Sequence, residues 1–285
     1  MDRSLSKNEA KVVLDLEWRN QKTVTLEDLR VVLGASDEYA RYMAHRLVHK
    51  GWLERLRPGL FQLIPASRGR EAVADTNPLL ASATLAHPYF FSFGTACTHH
   101  RFTEQVFAEV YLACRERRRP QAIRGARYVL AYVSENHFFG FEETSVLGAA
   151  VQMATPERAL ADALDRPHYA GGVGEVSRMV ARSLPRLSPE RLIPLLERWG
   201  ESALAQRLGY LADLHEVECS PTLRTGLERL VRPGSKVLLG PRGRWGTSGT
   251  LARRWNIIEN VPRDVLVEKG AARRRRVKFP PSDTS

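Results

Sequence analysis

The stretch SDEYARYMAHRLVHKG, residues 36–51, followed by WLERLRPGLFQLIP, residues 52–65, decides the fold of the first part of the chain. Ser36 can cap a helix, Asp37 and Glu38 put negative charge in its first turn, His49 and Lys50 put positive charge in its last, and Gly51 can close it. At 100° per residue Ala40, Met43, Ala44, Leu47 and Val48 form one apolar stripe, while Tyr42, His45, Arg46 and His49 gather on the opposite face with Arg41 beside them. One side is built to pack and the other to touch something. Trp52 to Leu56 alternates, Arg57-Pro58-Gly59 suits a type II turn, and Leu60 to Ile64 returns. A helix followed by a basic-tipped hairpin is the sequence form of a recognition helix and its wing.

Upstream, Ser4 to Arg19 is helical by period, with Ala10, Val13, Leu14 and Glu17 to Trp18 assigned to the inner side. Thr25-Leu26-Glu27-Asp28 has capping-box spacing, and Leu26, Leu29, Val32 and Leu33 form a short amphipathic helix that Gly34 ends. Only the short Gly34-Ala35 turn separates this helix from Ser36, which is helix-turn-helix spacing. Residues 1–65 are therefore expected to form a winged helix-turn-helix domain, with residues 66–77 as a linker.

The remainder needs its own core. A helix is expected from Asn77-Pro78 to Ala86 and a short one over Gly94 to Arg101. Extended runs are expected at Tyr89 to Phe93, Val106 to Ala113, Ala126 to Val133, His137 to Phe141 and Val146 to Ala154, with a basic turn at Arg115 to Pro120. From Thr155-Pro156-Glu157 to Val231 the chain reads as helical, broken near Gly171-Gly172, Leu184 to Ser188 and Gly200. Lys236 to Leu239 and Arg254 to Val261 either return to the sheet or form a hairpin. Strands first and helices after make residues 78–270 an α+β domain, and residues 271–285, with four consecutive arginines, read as a basic mobile tail.

Composition narrows the partner. The chain has 285 residues, 43% hydrophobic and 26% charged, ordinary for a folded protein of two domains. Its net charge of +11 is uneven: residues 233–270 carry 7 basic and 3 acidic side chains and residues 271–285 carry 5 and 1, so +8 lies in the last 53 residues. Of 43 basic residues 36 are arginine, whose planar guanidinium grips phosphate or a guanine edge through two hydrogen bonds. Nucleic acid is the first partner such a surface suggests. The three cysteines, Cys97, Cys114 and Cys219, fit neither a disulfide framework nor a zinc site. With no signal peptide and no apolar run near 18 residues, a cytoplasmic protein without a membrane partner is expected.

Five ordered segments carry a family resemblance: the N-terminal module; THHRFTEQ at residues 98–105; Thr155-Pro156-Glu157-Arg158-Ala159-Leu160 running on to Asp165-Arg166-Pro167-His168-Tyr169-Ala170-Gly171-Gly172; QRLGYL at residues 206–211; and RWNIIENVP at residues 254–262. Together they resemble the AbiEi family, antitoxins of type IV toxin-antitoxin and abortive-infection systems. The resemblance implies a repressor that reads inverted repeats in its own operator; two copies on neighbouring half-sites are expected to self-associate on DNA. It also implies an antitoxin that counters a nucleotidyltransferase-like toxin without a stable complex. The basic run Arg273 to Arg276 departs from the pattern.

Competing chemistry is weak in the sequence. His99-His100 with Glu104 lacks metal-ligand spacing, and Asp162 and Asp165 beside Arg158 and Arg166 read as helix ion pairs. Glu9-Ala10-Lys11 is the only nuclease-type triplet and falls inside the first helix, while Gly171 to Gly174 reads as a helix join. With no GxGxxG, Walker lysine or Gly-x-Ser-x-Gly, neither catalysis nor a cofactor is expected. The rival readings are a nuclease or nucleotidyltransferase targeted by the winged module, and an adaptor that binds protein. The expected DNA contacts are base edges for Arg41, Tyr42, His45 and Arg46, with His49 and Lys50 on the same helix, and a phosphate for Ser36. Arg55 and Arg57 on the hairpin and Arg68 and Arg70 beyond it would hold the backbone.

Overall fold

The computed structural model describes residues 3–69, 88–123, 126–146 and 149–267. The expected helix over Asn77 to Ala86, most of the 66–77 linker, Arg70 and the basic tail lie outside the described residues. The protein is mixed α+β and divides into two compact units, Met1–Phe91 with Ala108–Met153, and Ser92–Phe107 with Ala154–Ser285.

The N-terminal module runs α1 (Lys7–Trp18), β1 (Thr23–Thr25), α2 (Leu26–Leu33), α3 (Asp37–His49), β2 (Leu53–Arg57) and β3 (Leu60–Leu63). Its helix ends obey the local chemistry. The Thr25 hydroxyl accepts from the Asp28 amide at 3.1 Å while the Asp28 carboxylate accepts from the Thr25 amide at 2.7 Å. At the far end of α3 the Trp52 amide reaches back to Leu47 at 2.9 Å and the Gly51 amide to Val48 at 3.0 Å, a closure that needs the left-handed Gly51 (φ 71°). The sheet order is β1-β3-β2, all antiparallel, with a bulge between Arg55 and Arg57 and Gly59 at φ 77° in the tip. Strand β1 was not foreseen; three residues are too short for a period to show. Ala40, Met43, Ala44 and Leu47 are buried as expected, against Val13, Leu16, Leu29, Leu53, Phe61 and their neighbours. The expected inner stripe of α1 is corrected: Glu9, Val12, Val13 and Leu16 are buried, whereas Leu14 is 62% and Trp18 86% exposed. A buried carboxylate on the inner face hid the phase of the apolar repeat.

The second part of the first unit is a six-stranded sheet of β4 (Tyr89–Phe91), β5 (Glu109–Cys114), β6 (Gln121–Ile123), β7 (Ala126–Tyr132), β8 (Phe141–Val146) and β9 (Ala149–Ala154), in the order β6-β7-β5-β4-β9-β8. Strand β5 is parallel to β7 and antiparallel to β4, and β4 is parallel to β9. Phe90 on the central β4 stacks on Phe141 with ring centres 4.6 Å apart. His137 to Phe141 is not extended: Glu135–His137 form a single 3-10 turn, with the His137 ring 3.0 Å from the Ser134 hydroxyl, and the strand begins at Phe141.

The second unit is helical: α4 (Phe93–His99), α5 (Pro156–Asp165), α6 (Val173–Ser183), α7 (Pro189–Trp199), α8 (Ser202–Leu214) and α9 (Pro221–Leu230). The breaks fall where glycine allows them, at Gly171 (φ 80°), Gly172 (φ 90°) and Gly200 (φ 81°). After α9 come β10 (Val237–Leu238), the single turn α10 (Arg242–Trp245), β11 (Thr250–Ala252), β12 (Ile257–Glu259) and the single turn α11 (Arg263–Leu266). The three strands make a separate sheet, order β10-β12-β11, β10 parallel and β11 antiparallel to β12.

The segments that carry the family resemblance hold this unit together. Arg158 and Asp162, both almost fully buried on α5, pair at 2.8 Å; Ser92 donates to the same carboxylate, and the Arg158 guanidinium sits 4.5 Å from the Trp199 ring centre. His100 bonds the Ala154 carbonyl at 2.7 Å, and Thr103 donates to Glu175 at 2.5 Å. Gln206 donates to the Ser235 and Trp255 carbonyls at 2.7 and 3.0 Å, which fixes α8 against the C-terminal strands. A Cβ on Gly209 would lie 2.3 Å from the Trp255 ring, so only glycine lets that indole close on α8.

Gly209→Ala therefore destabilises the protein by about 1–3 kcal/mol through overpacking, against a helix-propensity gain of about 1 kcal/mol that alanine brings at an open site. Urea unfolding at neutral pH reads the sign directly; a variant more stable than the parent would show that Trp255 yields.

Candidate nucleic-acid interface

Three flanks of α3 have three tasks. The apolar stripe is buried, one flank faces the hairpin and the other faces α1. Toward the hairpin, Arg41 and His45 from α3 and Arg55 from β2 rim a groove of about 690 Å³ whose floor is Ala44, Val48, Leu26 and Phe61. All three rim residues are exposed. The Gly59 carbonyl accepts from the Leu26 amide at 3.3 Å, so the first turn of α2 holds the hairpin tip and with it the far wall of the groove.

Toward α1, the geometry is set by Glu9. Its side chain is 2% exposed, and it accepts from Lys50 Nζ at 2.6 Å, Arg46 Nε at 3.2 Å and the Ser6 amide at 2.7 Å. Burial alone would push this carboxyl up; the hydrogen bonds from Lys50, from the Ser6 backbone and hydroxyl, and from Arg46 outweigh it and hold the pKa at about 2. Lys50 is 18% exposed and Arg46 43%, so Lys50 is spent on the ion pair while Arg46 keeps part of its guanidinium toward solvent. The Arg46 Nη1 also lies 3.4 Å from the Tyr42 hydroxyl.

Between these flanks the outward ridge carries Tyr42, 53% exposed, and His49, also exposed. Tyr42 lies 5.9 Å from the Tyr39 ring, whose hydroxyl accepts from Asn8 at 3.1 Å. The Ser36 hydroxyl accepts from the Tyr39 amide at 3.3 Å, so it caps the helix. Arg68 is exposed in the 3-10 turn Ala66–Arg68 after β3. Arg57 pairs with Leu60 through its backbone, and its side chain lies outside the described residues, as does all of Arg70.

The structure thus brings Arg41, His45 and Arg55 together and assigns Arg46 and Lys50 to Glu9. Sequence reasoning missed Glu9 as the organiser of this face, although Ser6 and Glu9 have the same three-residue spacing that was recognised at Thr25 and Asp28. It also missed Arg3, whose guanidinium lies 3.8 Å from the Trp52 ring centre and donates to the Ile64 and Gly69 carbonyls at 2.7 and 2.6 Å. Among the described residues no group of three or more His, Cys, Asp or Glu could hold a metal ion, and no helix is long and apolar enough to cross a membrane.

Residues 11–64 match the family model described as "Transcriptional regulator, AbiEi antitoxin". No curated protein matches the chain. The structure is similar to the crystal structure of the RV2827C protein from Mycobacterium tuberculosis, with a TM-score of 0.60 at 16% sequence identity, over 90% of this chain and 92% of that one. That likeness is one of fold.

The Glu9 shift has a pH signature. A carboxylate held at about 2 against an ordinary 4.5 contributes on the order of 3 kcal/mol of stability. The contribution is complete above pH 4.5 and is lost as pH falls through about 2. Glu9→Gln removes it at all pH values, so the stability gap between parent and variant narrows from pH 5 to pH 2. Unfolding by urea across that range checks it, and a gap independent of pH would contradict the assignment.

Proposed function

We propose that the N-terminal module is a winged helix-turn-helix that binds duplex DNA, and that the protein represses its own operon through inverted repeats. The observation that carries this reading is the groove between α3 and the β2-β3 hairpin. Two cationic or hydrogen-bonding side chains on the helix, Arg41 and His45, stand across an apolar floor from a third, Arg55. The regulator family model that matches residues 11–64 supports it.

In this arrangement the α3 ridge enters the major groove. Arg41 reaches a guanine edge or a phosphate, His45 and Tyr42 reach neighbouring base edges, and Ser36 meets a phosphate beside the helix start. Arg55 and Arg68 hold the flanking backbone, joined by Arg57 and Arg70. Arg46 keeps α3 in register with α1 through Glu9 and offers its remaining donors to the duplex. The family points further, to an antitoxin that counters a nucleotidyltransferase-like toxin without a stable complex, acting in the cytoplasm as a regulator rather than an enzyme.

Gel shifts on the duplex upstream of the gene and on a scrambled duplex, each at two salt concentrations, test the division of labour. Arg41→Ala costs about 1–3 kcal/mol on the upstream duplex and narrows its preference over the scrambled one. Arg55→Ala weakens both duplexes alike and lowers the salt slope by about one. Equal losses for both variants on both duplexes would sink this scheme, and metal-dependent turnover of nucleic acid by the pure protein would favour an enzyme instead.

A further inference from the structure

The RWNIIENVP segment also contains a buried side chain turned to a loop rather than to α8. Asn260 is 7% exposed, and its amide clamps both ends of the loop between β10 and β11. Its Oδ1 accepts from the Gly240 amide at 2.9 Å, and its Nδ2 donates to the Gly240 carbonyl at 3.0 Å and the Gly246 carbonyl at 2.9 Å. Gly240 is itself wedged: a Cβ there would meet Val261 at 2.4 Å and Trp245 at 2.7 Å.

The clamped loop reads Gly240-Pro241-Arg242-Gly243-Arg244-Trp245-Gly246. Arg242 and Arg244 are exposed, and a Cβ on the Gly243 between them would meet nothing within 4 Å. The Arg244 guanidinium rests 5.1 Å from the Trp245 ring centre, and among the described residues no carboxylate pairs with either arginine. Other arginines of the same unit are held, some by backbone carbonyls, as Arg207 by Leu238 at 3.2 Å and Arg232 by Gly200 at 2.9 Å, and some by carboxylates. Arg254 bonds Glu228 at 2.6 Å and Asp213 at 3.1 Å, and Arg229 pairs with Glu197. No acidic residue occurs in the sequence between Glu228 and Glu259. Two guanidiniums that no carboxylate neutralises among the described residues, on a turn fixed by a buried amide, form a preorganised anion grip, with the ordering entropy already met by the fold.

We propose that the Arg242–Arg244 loop is a second contact to duplex DNA, independent of sequence, in which each guanidinium takes one phosphate and the bare Gly243 lets the backbone approach. The inference rests on the DNA-binding reading of α3 and extends it to the second unit. A polyphosphate backbone fits better than an acidic protein surface because the two arginines are adjacent but for one glycine, and each strand of duplex DNA repeats its charge regularly, about every 3.4 Å along the axis.

The test uses the full chain and fluorescence anisotropy on a random-sequence duplex and on the upstream duplex, over a series of salt concentrations. The variants are Arg242→Gln/Arg244→Gln, Arg41→Ala/His45→Ala, and the four combined. The loop variant is expected to bind both duplexes about tenfold more weakly, with the salt slope lower by about 1.8, roughly 0.9 for each phosphate released. The α3 variant is expected to lose the preference for the upstream duplex yet keep binding that the loop substitutions then remove. Unchanged affinity and slope for the loop variant in both backgrounds would overturn the loop contact and leave the α3 reading standing. No binding of either duplex by the parent would overturn both. Thermal unfolding of the loop variant matching the parent shows that any loss comes from the arginines and not from the fold.

Discussion

The buried carboxylate of Glu9 is the constraint on which the N-terminal module depends. A two-percent-exposed charge between α1 and α3 is tolerable only because an ammonium, a guanidinium and a backbone amide converge on it. Those partners come from opposite ends of the module's helical part: Ser6 precedes α1 and Lys50 ends α3. The pair therefore sets the rotation of α3 about its own axis. Once Arg46 and Lys50 are turned to α1, the 3.6-residue period turns Arg41, His45 and Val48 to the hairpin. A single buried carboxylate with its two ion pairs thus divides the basic residues of one helix into those that position it and those left for a ligand.

The helical unit follows a different logic. Its most distinctive residues are packing devices: an arginine and an aspartate paired in the interior of α5, a glycine that admits an indole to α8, a glutamine that ties α8 to the C-terminal strands. Burial also raises the Cys97 thiol, which bonds the Ala159 carbonyl, so this cysteine is a packed small side chain. Such residues are specific to a fold because each makes its contacts in only one geometry. Their specificity does not make them chemistry.

Much of the N-terminal module was legible because its signals are local. Caps at Thr25 and Ser36, a left-handed Gly34 and Gly51, and a Pro58-Gly59 tip each fix a boundary within four residues. The phase of α1 was not legible, since Glu9 sits where an apolar residue would have marked the inner face. The basic residues of α3 could not be sorted from the sequence either, because the sorting is done by a partner some forty residues away. In the second unit, Gln206, Gly209 and Asn260 stood out only as parts of a resemblance. Their tasks are contacts between α8, β10 and the segment around β12, and no period or spacing encodes contacts between distant segments. Strands β1, β6 and β11, of three residues each, are too short for alternation to show.

In the proposed complex the hairpin-facing side of α3 lies against duplex DNA. A photo-cross-linking residue placed at position 45, on the groove, and separately at position 14, on the exposed face of α1, measures this most directly. A covalent adduct with the upstream duplex is expected from position 45, suppressed by excess unlabelled duplex, and none from position 14. Equal adducts from both positions, or an adduct from position 14 alone, would contradict it.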